Sequence, residues 1–174
     1  MKKYIFLVIA IIVMCIVYVN VNASEVVIPD SAIRVRVIAN SDSLNDINMK
    51  LRVTEYLQNY LSPILMDVSN IEEARFIIES KLDEIDDGIE KIFEENNYDV
   101  SYIVNFGDNY FPNKEYKGVK YKAGNYESLV VTIGSGSGEN WWCVLFPPLC
   151  LLDATDSSDV EYKLWVEELI KKYF

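Results

Sequence analysis

Two cysteines near the C-terminal end carry the most reactive side chains in this sequence. Cys143 and Cys150 bound an eight-residue loop, and a cystine can close such a loop in an oxidising compartment. A nucleophilic role for Cys143 would need a base to generate the thiolate, and the chain contains no histidine. The pattern therefore predicts a cystine that stabilises the fold by roughly 2.5 kcal/mol. Two buried free thiols are the alternative.

The remaining polar residues argue against catalysis. Without histidine, the Ser-His-Asp and Cys-His arrangements and all histidine-bearing zinc motifs are excluded. Asp42 and Asp46, close to a turn at Asn40, are the best acid–base candidates, but helix capping is the preferred interpretation of both. The run from Gly134 to Gly138 opens no helix, so it predicts a turn and not a phosphate loop. We expect no enzymatic activity, no metal and no cofactor.

The first 23 residues predict export. Lys2 and Lys3 precede an almost wholly apolar segment, residues 4–21, and residues 21–23 have the small-residue spacing that a signal peptidase reads. We expect cleavage after Ala23. Because the apolar segment just reaches membrane-spanning length, a retained N-terminal membrane anchor is the alternative.

The charge of the chain limits its ligands. The formal net charge is −11, and removal of residues 1–23 takes away two lysines and no acidic residue, which gives −13. A field of this sign repels nucleic acid and anionic membrane surfaces. We therefore expect no nucleic-acid ligand and membrane contact only through the N-terminal segment. The rest of the chain predicts an exposed tether over residues 24–31 and a single extracytoplasmic domain over residues 32–174.

Hydrophobic periodicity predicts an α+β domain with the order β-α-α-β-β-β-α. Two to three helices are expected to cover one face of a small mixed or antiparallel sheet. The first strand spans Ile33 to Ala39, and Arg34 and Arg36 share its other face, which predicts a solvated or ion-paired surface; a partner-binding pair is the alternative. Residues 128–133 and 141–146 predict two strands of a β-hairpin joined by the glycine-rich turn.

Capping residues and breakers set the predicted helices. Ser43 caps a first helix that ends at Pro63. Its predicted apolar stripe, at helical spacing, is Ile47, Leu51, Thr54, Leu57 and Leu61. Asn70 caps a second helix whose apolar stripe continues past Gly88. A final helix extends to Phe174, with a predicted buried stripe of Val160, Leu164, Trp165 and Leu169.

Trp141 and Trp142 are consecutive, so on a strand they lie on opposite faces. If one sheet face is wet, one of the two rings lies either under a covering segment or in the open beside Phe146, Pro147 and Pro148. An open ring would form an apolar patch of the kind that marks a protein contact. The two prolines lack N–H donors and end the strand.

Two separated motifs resemble a known family. The segment IRVRVIANSDS lies near the start of the domain, and YKAGNYESLVVTIGSGSG followed by ENWWCVLFPPLC lies near its end. Together they are similar to the stage II sporulation protein R family, from about Ile33 to Asp153. Members often have a histidine where this chain has Arg36 and a proline where it has Leu44, so a mechanism that needs that histidine does not apply here.

The resemblance implies a secreted intercellular signal. Members cross the forespore membrane into the space between the two sporulation membranes. There they activate a membrane-embedded aspartic peptidase, the sporulation sigma-E factor processing peptidase, which removes the pro-sequence of sigma factor E. The chain would then be a ligand and not an enzyme. We expect the contact surface to consist of Trp141, Trp142, Phe146, Pro147 and Pro148, together with Asn40 and Asp42.

Two other classes of function stay open. An exported hydrolase acting on a cell-wall substrate would need two carboxylates about 5–9 Å apart in a cleft. A membrane-tethered scaffold would keep residues 1–23 in the mature protein.

Overall fold

The computed structural model describes residues 26–116, 119–151 and 159–174, together with the isolated positions 6, 11 and 14. Its elements, in chain order, are β1 Val26–Val27, β2 Ile33–Ile38, α1 Leu44–Met66, α2 Ile71–Ser80, α3 Leu82–Glu95, β3 Tyr102–Phe111, β4 Lys114–Tyr116, β5 Val119–Tyr121, β6 Gly124–Ile133, β7 Asn140–Phe146, a 3-10 turn Leu149–Leu151, and α4 Asp159–Tyr173. The predicted signal segment or anchor, residues 1–23, lies outside the described residues apart from those three positions. Within the described part of the chain, no helix has the length and hydropathy needed to cross a bilayer.

A four-stranded mixed sheet forms the centre of the fold, in the order β3-β6-β2-β7. Strand β2 is parallel to β6 and antiparallel to β7, so that Val35 lies opposite Leu129 on one side and Cys143 on the other. The predicted α+β class with a mixed sheet is confirmed. The predicted β-hairpin is wrong, because β2 lies between the two strands assigned to it. Strand β2 is buried on both faces over most of its length, which is typical of a central strand. The glycine-rich segment crosses the end of β2 to reach β7.

Three helices cover the first face of this sheet. Helix α1 buries a stripe at four-residue spacing, and α2 and α3 extend the same core. The buried helical residues are Met49, Val53, Leu57, Leu61, Leu65, Ala74, Ile78, Ile85, Ile89 and Phe93. The predicted second helix is divided at Lys81 into α2 and α3, yet its apolar stripe is continuous across the break.

Helix α1 differs from its prediction in two ways. Pro63 lies within the helix, which continues to Met66. The ring removes one hydrogen bond near the end of the helix, and burial of Leu61 and Leu65 on either side holds the last turn in place. Leu51, predicted to be buried, is 50% exposed, because the buried stripe passes through Met49 and Val53 instead.

The second face of the sheet is covered over part of its length by a smaller sheet, in the order β1-β5-β4, and by α4. Val26 and Val27 pair in parallel with Val119 and Lys120, and Ile28 is buried. Within the predicted exposed tether, residues 26–27 thus form a strand and Ile28 belongs to a second core, whereas Asp30 and Ser31 are exposed as expected. The predicted cover of one face by helices is confirmed for α1, α2 and α3, and α4 adds partial cover on this second face.

Helix α4 presents only part of the predicted face: Leu169 packs against the second core, and the Val160 side chain lies outside the described residues. Tyr162 and Val166 are buried, whereas Leu164 is 59% and Trp165 is 40% exposed. The hydroxyl groups of Tyr162 and Tyr121 lie 3.0 Å apart and form a hydrogen bond. This pairing satisfies the polar end of Tyr162 inside the second core, which explains why a tyrosine takes the buried position.

Gly88 in α3 provides a test of the packing between α1 and α3. The Tyr56 ring of α1 crosses α3 at this point, and its hydroxyl donates to the Glu84 carbonyl at 2.9 Å. A Cβ atom on Gly88 would lie 2.0 Å from the Tyr56 hydroxyl oxygen. A glycine inside a helix normally costs about 1 kcal/mol relative to alanine.

We expect Gly88→Ala to destabilise the protein, because the Tyr56 ring must leave its place. In a Tyr56→Ala background the same change should stabilise by about 1 kcal/mol, since only the helix propensity remains. Denaturant unfolding of the four proteins in this cycle measures both effects. An equal gain in the two backgrounds would contradict the packing described here.

Candidate partner interface

The turn after β2 is organised around one buried carboxylate. Asp46 is 7% exposed and accepts hydrogen bonds from Asn40 Nδ2 at 3.0 Å, Ser41 Oγ at 2.5 Å and Tyr98 Oη at 2.5 Å. Its backbone N–H donates to Ser43 Oγ at 3.2 Å, so Ser43 is the N-cap of α1 as predicted. One side chain thus joins the end of β2, the start of α1 and the segment that leads into β3.

These contacts decide the charge state of Asp46. The hydrogen bond from Ser41, followed by that from Tyr98, lowers the pKa of Asp46. Burial, and then the bond to Asp46, raises the pKa of Tyr98. Asp46 is therefore ionised at neutral pH with its lone pairs occupied, which makes it a poor proton donor for catalysis.

The glycine-rich segment after β6 is fastened to the same turn. The Ser135 N–H donates to Asn40 Oδ1 at 3.0 Å, and Ser135 Oγ donates to the Asn40 carbonyl at 2.9 Å. The Glu139 N–H donates to Asp42 Oδ1 at 2.7 Å. We call this set the Asn40 clamp; its members are Asn40, Ser41, Asp42, Asp46, Tyr98, Ser135 and Glu139.

Glycine is required where the segment touches the turn. A Cβ atom on Gly138 would lie 2.4 Å from the Ser41 carbonyl oxygen, a backbone atom that cannot move aside. Gly134 has a φ of +53°, a backbone conformation that favours glycine. A Cβ atom there would lie 2.2 Å from Asn40 Oδ1. Asn40 and Asp42, predicted to bind a partner, therefore make internal bonds that hold the two segments together.

We expect Asp46→Asn to cost about 1.5–3 kcal/mol of unfolding free energy near neutral pH, the range for hydrogen bonds to a charged group. The folded-state pKa of Asp46 lies below its unfolded value of about 3.9. The ionised carboxylate therefore stabilises the fold above about pH 4, and this stabilisation is lost as the pH falls through the folded-state pKa.

Denaturant unfolding at pH 7 and pH 3 measures this effect, and the difference between wild type and variant should shrink at pH 3. Glu55→Gln, an exposed acid on the same helix, is the matched control and should change stability by less than about 0.5 kcal/mol. Equal costs for Asp46→Asn at both pH values would show that its charge does not support the clamp.

The two tryptophans of β7 lie on opposite faces of the sheet, as predicted, and both are half-buried. Trp141 packs against the helical core and lines a depression with Val35, Leu57, Gln58, Leu145 and Cys150. Trp142 packs against the second core. Its ring centroid is 4.8 Å from that of Tyr121, and Lys114 Nζ is 5.5 Å from the ring centroid.

The other three apolar residues assigned to the partner surface are buried. Phe146 is 0% exposed, and Pro147 and Pro148 are also buried. The Phe146 ring centroid lies 4.9 Å from that of Tyr173 at the end of α4. Of the two alternatives, the exposed patch therefore does not hold for these three residues, because they are buried and the C-terminal helix returns to Phe146. Nothing in the local sequence indicates that contact.

Cys143 and Cys150 are free thiols in the structure, so the predicted cystine is not formed there. Both sulfur atoms approach the Val144 carbonyl oxygen, Cys150 Sγ at 2.9 Å and Cys143 Sγ at 3.6 Å. Burial, followed by a hydrogen bond with Cys143, raises the pKa of Cys150 well above its usual value. The arrangement corresponds to the alternative of two packed thiols that share one acceptor.

We expect Cys150 to react slowly with iodoacetamide at pH 7 in the folded protein, because its raised pKa leaves little thiolate. Both cysteines should react fully in denaturant without a reducing agent. Mass spectrometry of the peptides that contain Cys143 and Cys150 reads both results. If both thiols stay unmodified in denaturant until a reductant is added, a cystine is present and the free-thiol state is contradicted.

The two arginines of β2 are not solvated as predicted. Arg34 is 0% exposed, and its guanidinium carbon lies 3.3 Å from the Tyr126 ring centroid and 5.2 Å from that of Phe111. None of its three side-chain nitrogens has a hydrogen-bond partner. Arg36 is half-buried, with Nη1 3.5 Å from the Tyr110 carbonyl oxygen. Burial lowers the pKa of both side chains.

Sequence reasoning missed this feature because the aromatic cover comes from distant strands. Tyr126 lies on β6 and Phe111 on β3, and only the sheet register brings them over β2. The one available signal was the pair of arginines on a strand that otherwise reads as buried.

The fold is that of a small α+β domain. The polar side chains of the Asn40 clamp form hydrogen bonds within it and hold its segments together. In the described ranges, no group of three or more cysteine, aspartate or glutamate side chains is arranged to hold a metal ion. The model of the stage II sporulation protein R family matches residues 29–156, so the chain belongs to that family.

A curated relative agrees with this assignment. Stage II sporulation protein R of Bacillus subtilis (strain 168) is 43% identical over 136 residues, which cover 78% of this chain and 61% of the relative. The chain thus spans about three fifths of the length of that relative, from the 61% coverage. No solved structure matches the chain.

Proposed function

We propose that this chain is a secreted intercellular signal that activates the membrane-embedded aspartic peptidase responsible for processing pro-sigma-E during endospore formation. The family match over residues 29–156 carries the proposal. That range includes the Asn40 clamp and all of β7. The signal-like N-terminus supports export across the forespore membrane into the intermembrane space, with retention through residues 4–21 as an alternative form of the same signal.

The state of the acidic residues favours a ligand over an enzyme. A carboxylate hydrolase needs one acid with a raised pKa. Asp46 instead has a lowered pKa and is bonded to its neighbours, and Asp42 accepts from the Glu139 backbone. The two best acid–base candidates are therefore used to hold the fold.

The clamp also supplies rigidity of the kind that a signalling ligand needs. A surface that is already ordered loses less conformational entropy when it docks, so more of the contact energy appears as affinity. The hydrogen bonds of the Asn40 clamp fix the end of the sheet next to Trp141 and Trp142 of β7, where Cys143 and Cys150 are free thiols.

Reconstitution in a heterologous host tests the proposal. We expect cleavage of pro-sigma-E when the full chain, the peptidase and pro-sigma-E are produced together, because exported chain meets the outer part of the peptidase. Immunoblotting for the shortened sigma factor gives the measurement.

Two controls make the result specific. A chain that lacks residues 1–23 should accumulate in the cytoplasm and give no cleavage, and a peptidase without its catalytic aspartate should give none with any chain. Equal cleavage with and without the chain, or none with stable exported chain, would reject the proposed function.

A further inference from the structure

We propose that the open part of the second sheet face binds an acidic, extended segment of the peptidase's extracytoplasmic portion, with Arg36 as the carboxylate-binding residue. This inference rests on the proposed function and adds the surface and the chemistry of the partner. We call the surface the Arg36 face; it consists of Arg36, Ile38, Ile103, Asn105, Thr132, Asn140 and Trp142.

Sheet register brings these residues together. Ile38 lies opposite Thr132 and Asn140, and Thr132 lies opposite Ile103, which forms one row across the sheet. In the next row Arg36 lies opposite Val130 and Trp142. The Arg36 face thus spans all four strands at the end of the sheet that carries the Asn40 clamp.

The Arg36 face is more exposed than the remainder of the second sheet face. That remainder is covered by the smaller sheet and α4, which form the second core. On the Arg36 face, Ile103 is 67% exposed, Asn105 and Asn140 are exposed, and Arg36 and Trp142 are half-buried. A half-buried tryptophan beside an arginine, with an exposed isoleucine nearby, is the composition found at the centre of protein contacts.

Charge identifies the partner chemistry. The chain as a whole carries −11, yet this face presents Arg36, with Lys114 Nζ 5.5 Å from the Trp142 ring centroid. Among the described residues, Arg75, Lys81 and Lys91 each form an ion pair with a glutamate. Arg36 makes none with a described carboxylate. A local cationic group on an acidic protein favours a short acidic segment, because the surrounding negative field repels larger polyanions.

The buried Arg34 also favours an acidic segment at this face. It lies two residues from Arg36 on the same face, a spacing of roughly 7 Å along a strand. Its guanidinium is fully buried, and none of its nitrogens has a hydrogen-bond partner. The Asp30 carboxylate accepts from the Tyr126 hydroxyl at 3.4 Å and attracts the Arg34 guanidinium through space without a direct hydrogen bond. A carboxylate bound to Arg36 would add to this attraction, because water screens a buried charge poorly.

The reconstituted cleavage assay, run with the exported full chain, tests the surface. We expect Arg36→Glu to reduce pro-sigma-E cleavage at least tenfold and Arg36→Lys to reduce it less, since lysine keeps the charge and loses the bidentate geometry. Lys91→Glu makes the same charge reversal at an exposed site on α3 and should stay within twofold of wild type.

A second pair of variants separates charge recognition from folding. Ile103 is exposed, so both Ile103→Glu and Ile103→Lys should fold with a melting temperature close to that of wild type. We expect the glutamate variant to lose cleavage and the lysine variant to keep it, because only the former repels an acidic segment. Equal cleavage by the two variants would overturn the assignment of an acidic partner.

The outcomes distinguish the two proposals. No cleavage with wild-type chain would reject the proposed function itself. Normal cleavage with wild type and also with a stably folded Arg36→Glu variant would leave the function standing and reject the Arg36 face. Loss of cleavage in Arg36→Glu and Ile103→Glu, with unchanged melting temperatures, supports the face.

Discussion

The buried carboxylate of Asp46 is the interaction on which the arrangement of this fold depends. Three side chains donate to it, from the end of β2, from the turn and from the segment before β3. Because a buried carboxylate is stable only when it is fully hydrogen-bonded, these segments must meet in one geometry. The start of α1 and the position of the glycine-rich crossing follow from that geometry.

The crossing explains the topology of the sheet. A short glycine-rich connection between two strands normally indicates a hairpin, but here Ser135 and Glu139 bind the Asn40 turn and carry the chain over the end of β2. Strand β2 is thereby enclosed between β6 and β7. Its apolar side lies in the main core, and its arginines lie on the side that the smaller sheet and α4 only partly cover.

This placement gives the two sides of the sheet different roles. The helical side is a continuous apolar core. Among the described residues, Thr54 Oγ1 and Ser62 Oγ are buried there without a hydrogen-bond partner. The other side holds a buried guanidinium without hydrogen bonds and leaves Arg36 and Trp142 partly open. The proposed signalling role needs a surface that is ordered before binding and charged differently from its surroundings, and this side of the sheet has both properties.

The sequence by itself determined the α+β class, the caps at Ser43 and Asn70, the apolar stripe of α2 and α3, and the family, because these depend on residues close together in the chain. Only the tertiary structure decided the strand order, the burial of Phe146 under Tyr173 and of Arg34 under Tyr126, and the use of Asn40 and Asp42 as internal clamps. Each of these joins segments that are distant in sequence. Local periodicity shows which face of an element is apolar, but it does not show what covers that face. For this reason the sequence placed the candidate interface at Pro147 and Pro148, which are buried, and the structure indicates Arg36 of β2 instead.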